Sequence, residues 1–293
     1  MSNVSVVPGP VAADVVVDGA TVASYVVVSD VPAVDTPKPF LHPVRTLGGT
    51  VITGFAPDDH PWHHGLQFAF PRVGDHNLWG GGTYLGPEGG YQVGDDHGQI
   101  LHASWDAREA SGDTATLAHT LSWLGRNGEV LLHEERSITC AHQRGSTEAL
   151  IIDFVTTLRN ATAGNLELAT PAQRGRADGG YGGLFLRLAE GFTASGLWGE
   201  SGKVTASGAS SRTLVVHGAS ADGAPVTLGL SFLPDGSPGC QKWLYRFEEF
   251  AAIGWAVAYD DSLELPRGEQ MRFAHRLVVC DGHLDPGQVT ALL

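Results

Sequence analysis

Positively charged residues are scarce in this sequence. Lys and Arg together number 18 against 32 Asp and Glu, which gives a formal net charge of -14 at pH 7. A surface of this sign repels the phosphates of nucleic acids and the head groups of anionic lipids. We therefore expect neither a nucleic-acid partner nor attachment to a membrane.

Cysteines and long apolar runs are also few. Cys140, Cys240 and Cys280 lie far apart, each in a strand-like run, a spacing that favours neither a disulfide framework nor a zinc knuckle. No run approaches the roughly 18 apolar residues of a spanning helix. The stretch Met1–Ser5 has no basic segment ahead of an apolar one, as an export signal would. These absences predict a soluble, cytoplasmic protein.

Stretches of helix-forming residues are rare, whereas 39 Gly and 16 Pro divide short runs rich in Val, Thr and Leu. Two such runs, 115–124 and 129–139, flank a turn at 125–128 and predict a long hairpin. Only residues 285–293 look helical, with Asp285 as N-cap. We predict an all-β fold, a large antiparallel β-sandwich, as a single domain over residues 1–293.

The densest polar stretch is Asp58-Asp59-His60-Pro61-Trp62-His63-His64-Gly65, and seven of the 13 histidines lie between positions 42 and 102. If this stretch is extended, side chains alternate, so His60, Trp62 and His64 share one side and His63 faces the other. Such a concentration of imidazole, carboxylate and indole indicates a polar small-molecule pocket. Structural hydrogen bonding is the simpler alternative.

A metal site is a further alternative for the same histidines. His60 and His64 are the candidate ligands of a divalent ion, with a third ligand from Asp59 or from a histidine at 42, 97 or 102. The alternation of adjacent histidines along a strand argues against this arrangement, and no complete metal signature is present. We therefore predict no firm cofactor and keep the divalent metal as a minority hypothesis.

Two further polar stretches flank the histidines. His42 and Arg45 lie three residues apart and are fixed by two nearby prolines, Pro39 and Pro43. They direct a donor and a cation toward a site, or Arg45 pairs with a surface acid. The stretch Asn77–Gly82 combines glycines with Trp79, which is typical of a flat wall with amide groups at its edge that suits a sugar ring.

The stretch 171–187 is locally basic in an acidic chain. It carries Arg174, Arg176, Asp178, Tyr181 and Arg187, and a basic cluster of this kind indicates a bound carboxylate, a set of sugar hydroxyls or an ordinary flexible loop.

A pair of acids lies inside the second strand of the predicted hairpin. By alternation, one of Glu134 and Glu135 faces the same side as Arg136 and is buried or directed at a site, unless the run is solvated.

Several ordered motifs resemble one known family. They are His-Pro-Val-Arg-Thr at 42–46, Asp-His-Pro-Trp-His-His-Gly at 59–65, Asn-Leu-Trp-Gly-Gly at 77–81, Asp-Asp-His-Gly at 95–98, Glu-Glu-Arg at 134–136 and Gly-Tyr-Gly-Gly-Leu-Phe at 180–185. Over residues 20–283 the chain resembles the bacterial family labelled "methane oxygenase PmoA-like". The oxygenase subunits behind that label are membrane proteins, so the resemblance implies instead an aldose-mutarotase-like β-supersandwich of bacterial sugar catabolism, with a histidine acid and a carboxylate base.

The sequence as a whole predicts a carbohydrate-active enzyme, of the epimerase or lyase type, whose partner is a small sugar or sugar derivative. Histidine suits this chemistry because its ordinary pKa lies near neutral pH. A homo-oligomer is compatible with the sequence. The alternatives are a non-catalytic sugar-binding module and a metal-assisted lyase or hydrolase of oxidised sugars. The predicted catalytic residues are His60, His64 and His102, and the predicted substrate-binding residues are His42, Arg45, Asp59, Trp62, His63, Asn77, Trp79, His97, Arg174, Tyr181 and Arg187.

Overall fold

The computed structural model describes residues 3–234, 236 and 238–293. Met1 and Ser2, which entered the expectation about export, lie outside these residues. In chain order the strands are β1 (Val4–Pro8), β2 (Ala12–Val17), β3 (Ala20–Val26), β4 (Phe40–Val44), β5 (Leu66–Ala69), β6 (Arg72–Val73), β7 (Thr83–Tyr84), β8 (Tyr91–Gln92), β9 (Gln99–Ser111), β10 (Thr114–Leu124), β11 (Val130–Gln143), β12 (Ala149–Asn160), β13 (Leu166–Ala169), β14 (Gly183–Arg187), β15 (Thr193–Gly199), β16 (Gly202–Lys203), β17 (Ala209–Ser210), β18 (Thr213–Ala219), β19 (Pro225–Phe232), β20 (Lys242–Arg246), β21 (Ala252–Ala256), β22 (Leu263–Leu265) and β23 (Gln270–Asp281).

Most of these strands form two large antiparallel sheets. The first has the order β1-β2-β3-β4-β5-β14-β21-β20-β17, and the second has the order β16-β15-β18-β19-β23-β12-β11-β10-β9. A three-stranded sheet, β22-β13-β6, and the small hairpin β7-β8 complete the set. The prediction of an all-β antiparallel sandwich is confirmed.

The core lies between the two large sheets. Phe68 of the first sheet contacts Trp123, Phe154 and Phe273 of the second, with ring centroids 6.1, 6.0 and 5.3 Å away. Strand β10 alternates strictly between buried and half-buried positions, as its sequence pattern predicts. It pairs with β11 across the glycine turn at 125–128, so the long hairpin forms as expected.

Helices are short in the described part of the chain. One α-helix, α1 (Pro286–Thr290), begins after Asp285, whose side chain accepts a hydrogen bond from the backbone N–H of Gly287 as predicted. Two 3-10 helices cover Ala33–Asp35 and Pro171–Arg174. Over these residues, no helix has both the length and the apolar character that crossing a bilayer requires.

A buried ionic network joins the two sheets. Glu134 accepts hydrogen bonds from Arg136 Nε at 2.6 Å, from Trp123 Nε1 at 2.6 Å and from the hydroxyl of Thr156. Arg136 also donates to the hydroxyl of Tyr25, which belongs to β3 of the opposite sheet, at 2.9 Å. Glu134 is therefore the glutamate that faces the Arg136 side, and its surroundings are the core.

Candidate functional site

A cavity of about 280 Å³ opens where four segments of the chain meet. They comprise the histidine stretch, the glycine-rich stretch with the β7-β8 hairpin, the loop before β14 with the strand itself, and the end of β20 with the residues that follow it. Its size lies near the lower end of the range for ligand pockets, about 300–1,000 Å³. The lining residues are His60, Trp62, His63, Trp79, Gly80, Gly82, Tyr91, Arg176, Tyr181, Phe185, Leu244, Arg246, Glu249 and Phe250.

Two consecutive turns place His60 and His63 together. The backbone N–H of His60 donates to the carbonyl of Pro57, and that of His63 donates to the carbonyl of His60, both at 2.9 Å. The two imidazole rings stack with centroids 4.7 Å apart and planes 14° apart. The expected extended geometry is wrong for this stretch, because turns bring residues three apart to one side. The partner of His60 in the cavity is therefore His63 and not His64.

Asp59 fixes the orientation of His60. Its Oδ2 lies 2.8 Å from His60 Nδ1, and its Oδ1 lies 3.4 Å from Arg187 Nη2. Burial acts to raise the pKa of Asp59, but the hydrogen bond with His60 and the charge of Arg187 outweigh it and lower the pKa. An ionised carboxylate only accepts, so Nδ1 of His60 carries the proton. Whenever this ring carries a single proton, its lone pair is on Nε2, which makes no hydrogen bond to the described residues.

His63 offers the complementary group. Burial, with the charges of its neighbours, lowers the pKa of His63 well below its usual value, so this imidazole is neutral. Arg187 Nη1 lies 3.5 Å from His63 Nδ1. A guanidinium only donates, which assigns the acceptor to Nδ1 and the N–H donor to Nε2. The stacked pair thus combines one ring that accepts with one ring that donates.

Aromatic rings form the walls of the cavity. Trp79 contacts Tyr181 and Phe185 with centroids 5.1 and 5.0 Å away, and Phe250 lies 4.6 Å from His60. Such rings pack against the apolar faces of a sugar. The loop that carries Trp79 is held by Asn77, whose Oδ1 accepts from the backbone N–H groups of residues 79 and 80 at 2.9 Å.

The glycines beneath Trp62 are required by its position. A Cβ added at Gly80 would lie 2.4 Å from the Trp62 Cβ, and one at Gly81 would lie 2.6 Å from the indole ring. Both glycines also have positive φ, 110° and 66°, which favours glycine sterically.

We expect Gly81→Ala to lower the free energy of unfolding by about 3 kcal/mol, through left-handed strain together with displacement of Trp62. The matched control is Gly112→Ala, where φ is 60° and no atom lies within 4 Å of the added Cβ, so strain alone acts, about 1 kcal/mol. Urea titration measures both losses. Equal losses in the two variants would show that contact with Trp62 contributes nothing.

The cavity gathers only part of the predicted site. Of the 14 predicted catalytic and substrate-binding residues, His60, Trp79 and Tyr181 line it. Trp62 and His63 also line the cavity. Asp59 and Arg187 lie behind the histidines, and Asn77 shapes the Trp79 loop.

His64 and His42 lie on the other side of the histidine stretch. The buried ring of His64 contacts Phe40 and Phe55, and its Nε2 lies 3.0 Å from the carbonyl oxygen of Pro61. His42 stacks on Phe55, and its Nδ1 lies 3.0 Å from the hydroxyl of Thr53. His64 is therefore buried and His42 half-buried beside Phe55, and neither imidazole lines the cavity.

Three other candidates hold loops together. Nε2 of His97 lies 2.7 Å from the carbonyl oxygen of Gly81, Arg174 donates to the carbonyl of Tyr84, and Arg45 donates to the carbonyl of Gly49. None of the three lines the cavity. His97 and Arg174 fasten segments that do line it.

His102 lies in the second sheet, on β9. Its Nδ1 lies 2.9 Å from Nδ1 of His119, and its ring contacts Trp105. His119 lies 2.8 Å from the Tyr25 hydroxyl, so His102 continues the buried ionic network and does not meet His60. The structure separates these two predicted catalytic histidines because they belong to different layers.

The ligand set considered for a metal does not assemble. His60 shares its Nδ1 with Asp59, and His64 turns its ring toward Phe40 and Phe55. Over residues 3–234, 236 and 238–293, no three or more His, Cys, Asp or Glu side chains are placed to hold one ion. The adjacent rings of His63 and His64 diverge, since His63 stacks on His60 whereas His64 packs against Phe40 and Phe55.

The segment 246–250 is the largest contribution that the sequence interpretation missed. Arg246, Glu249 and Phe250 line the cavity although they are far from the histidine stretch in sequence. The alternation of aromatic and charged residues in Tyr-Arg-Phe-Glu-Glu-Phe at 245–250 is the signal that was available. Arg176 also lines the cavity and belongs to the basic stretch 171–187, but it is not among the predicted site residues.

A family comparison places the chain. Residues 12–293 match the model of DUF6807, described as a family of unknown function. The chain belongs to this family. The DUF6807 match does not support the PmoA-like label that the motifs suggested.

Comparisons with individual proteins add little to the DUF6807 assignment. No curated protein matches the chain. A solved structure of a galactose mutarotase related enzyme from Lactobacillus acidophilus is similar, with 10% identity, a TM-score of 0.30 and coverage of 97% of this chain and 100% of that chain. A TM-score this low supports no argument about mechanism, so the sandwich architecture rests on its own strand pairing.

Proposed function

We propose that this DUF6807 protein is a sugar-active enzyme of the epimerase or lyase type, in which His60 accepts a proton from the substrate. The observation that carries the proposal is the Asp59-His60-His63 arrangement inside an aromatic cavity. A carboxylate that fixes the tautomer of a histidine leaves the other ring nitrogen ready to act as a base. The neutral His63 then supplies a hydrogen bond to an oxygen on which negative charge develops.

The walls support a sugar as the substrate class. A cavity of about 280 Å³ is suited to a ligand of roughly monosaccharide size, and Trp79, Tyr181 and Phe250 supply apolar surface beside polar groups. Arg187 is a positioning residue. Its guanidinium approaches Asp59 and His63 and stacks over Phe250 at 4.3 Å. It therefore holds the histidine pair from behind.

The test is to incubate the protein with a panel of sugars and keto-sugars in deuterated water and to follow them by proton NMR. Anomer interconversion and replacement of carbon-bound protons by deuterium are both visible in such spectra. We expect at least one sugar to react, and we expect His60→Ala to slow its reaction by about a hundredfold or more, the contribution of a general base.

Asp59→Asn is expected to give an intermediate loss, because the amide still orients the ring but no longer stabilises its charge. His102→Ala is the matched control, since it removes a histidine from the second sheet and should leave the rate unchanged. Tight sugar binding without any conversion would show that the protein is a sugar-binding module and not an enzyme. If His60→Ala converts the sugar as fast as the unaltered protein does, His60 is not the base.

A further inference from the structure

Two arginines from distant segments converge on one carboxylate at the cavity. Arg176 Nε lies 2.9 Å from Oδ1 of Asp178, and Arg246 Nη2 lies 3.0 Å from its Oδ2. Both arginines line the cavity. Asp178 itself does not, and its side chain is 62% exposed.

This grouping carries an excess of positive charge within an acidic protein. Two guanidinium groups share the single negative charge of Asp178, so the three residues together have a charge of +1. Each guanidinium has five N–H donors, and Asp178 occupies one side-chain nitrogen of each. The planar fork of an arginine suits a carboxylate or a phosphate, because either group can accept two aligned hydrogen bonds.

The charged grouping and the histidine pair belong to one cavity. Arg246 approaches the ring of Phe250 at 5.9 Å, and the same ring contacts His60 and His63. Arg176 lies over the ring of Tyr91 at 4.8 Å. Aromatic surface therefore continues from the proposed base to the two arginines, and one small ligand is able to contact both.

From this arrangement we infer that the cavity selects sugars that carry a carboxylate, and that Arg176 and Arg246 bind this carboxylate. The inference rests on the proposed function for the sugar itself. The charge of +1 matches a monoanion such as a sugar acid better than a phosphorylated sugar, which carries up to two negative charges at neutral pH. Glu249 also lines the cavity and is exposed, so its charge opposes such a ligand.

The experiment is calorimetric titration of the full chain with two matched pairs of sugars, glucose with glucuronate and galactose with galacturonate. We expect at least one acid to bind tenfold or more tightly than its neutral partner. Arg176→Met and Arg246→Met should each abolish most of this preference and leave the affinity for the neutral sugar within twofold. Glu249→Gln should strengthen binding of the acid.

Arg108→Met is the control, because it removes the same charge from β9 of the second sheet, where Arg108 donates to the carbonyl of Gly9. It should keep the preference. Equal affinities within both pairs, or a preference that persists in both Arg176→Met and Arg246→Met, would overturn the inference. Glucose 6-phosphate or galactose 6-phosphate binding more tightly than the matching acid would also overturn it, in favour of a phosphate site.

Binding and turnover separate this inference from the proposed function. Arginine-dependent binding of a sugar acid without any reaction in deuterated water would support the acid site and contradict the enzyme. Conversion of a neutral sugar that depends on His60 but shows no acid preference would support the enzyme and contradict the acid site.

Discussion

The folded protein should lose most of its stability as the pH falls from about 6.5 to about 4.5, because several histidines are buried in their neutral form. Burial is the main cause that lowers the pKa of His64 and His119 to about 2 and that of His275 to about 3. Each of these rings is fully enclosed in the fold. Protonation of any of them within the folded protein is strongly disfavoured.

The sign follows from the protons that each state binds. In the unfolded chain an imidazole regains a pKa near 6.5, so below this pH the unfolded chain binds protons that the folded protein does not. The stability from each histidine is present above pH 6.5 and decreases by about 1.4 kcal/mol per pH unit as the pH falls toward the folded pKa. These three groups alone remove about 8 kcal/mol by pH 4.5, which is comparable to the whole stability of about 5–15 kcal/mol.

Urea unfolding followed by circular dichroism, at several values between about pH 7.5 and about pH 5, measures this slope. His275→Leu is the informative variant, since neither ring nitrogen of His275 has a hydrogen-bond partner among the described residues. Its ring contacts Phe232 and Trp255. The slope of the variant should be smaller by about 1.4 kcal/mol per pH unit, the contribution of one buried histidine. A stability that does not change across this range would contradict the assignment of these histidines as buried and neutral.

The second large effect concerns the buried ionic network. Glu134→Ala should lower the free energy of unfolding by about 3–5 kcal/mol, because Arg136 would remain charged in the core without its carboxylate. Arg136 is 2% exposed, and its guanidinium lies 5.0 Å from the Phe154 ring. Trp123 and Thr156 would lose their acceptor as well. Urea titration at neutral pH measures the loss.

The double variant Glu134→Met with Arg136→Met is the matched control, because it removes both charges and keeps side-chain volume. It should recover most of the stability, since a buried ion pair gains little over apolar residues of similar size. A single variant that loses less than about 1 kcal/mol would mean that water reaches Arg136. A double variant as unstable as the single one would assign the loss to packing.

The fold was predictable because the local signals agree with one another. Some structures are determined by a few neighbouring residues. Examples are the alternating strand at 115–124, the glycine turn after it and the helix cap at Asp285. The burial of Glu134 beside Arg136 follows from the same alternation. Antiparallel sheets with short connections can be inferred from such patterns.

The candidate site was less predictable because two of its determinants are not local. The turns through Pro57 and His60 bring residues three apart to the same side of the chain. His63, and not His64, is therefore the neighbour of His60 in the cavity. The segment with Arg246 and Phe250 reaches the cavity through the pairing of β20 with β21 and of β21 with β14. The order of strands that are distant in sequence cannot be inferred from the residues near the histidines.

The packing of Trp62 on Gly80 and Gly81 has a consequence for other members of DUF6807. A Cβ at Gly81 would collide with the indole, whereas one at Gly80 would meet the Cβ of Trp62 and the backbone of Asp35, so positions 62 and 81 are expected to change together in evolution. A homologue that keeps tryptophan at the position of 62 should keep both glycines. One that carries alanine at the position of Gly81 should have a smaller residue in place of the tryptophan. This covariation separates family members that retain the cavity wall from those that have remodelled it.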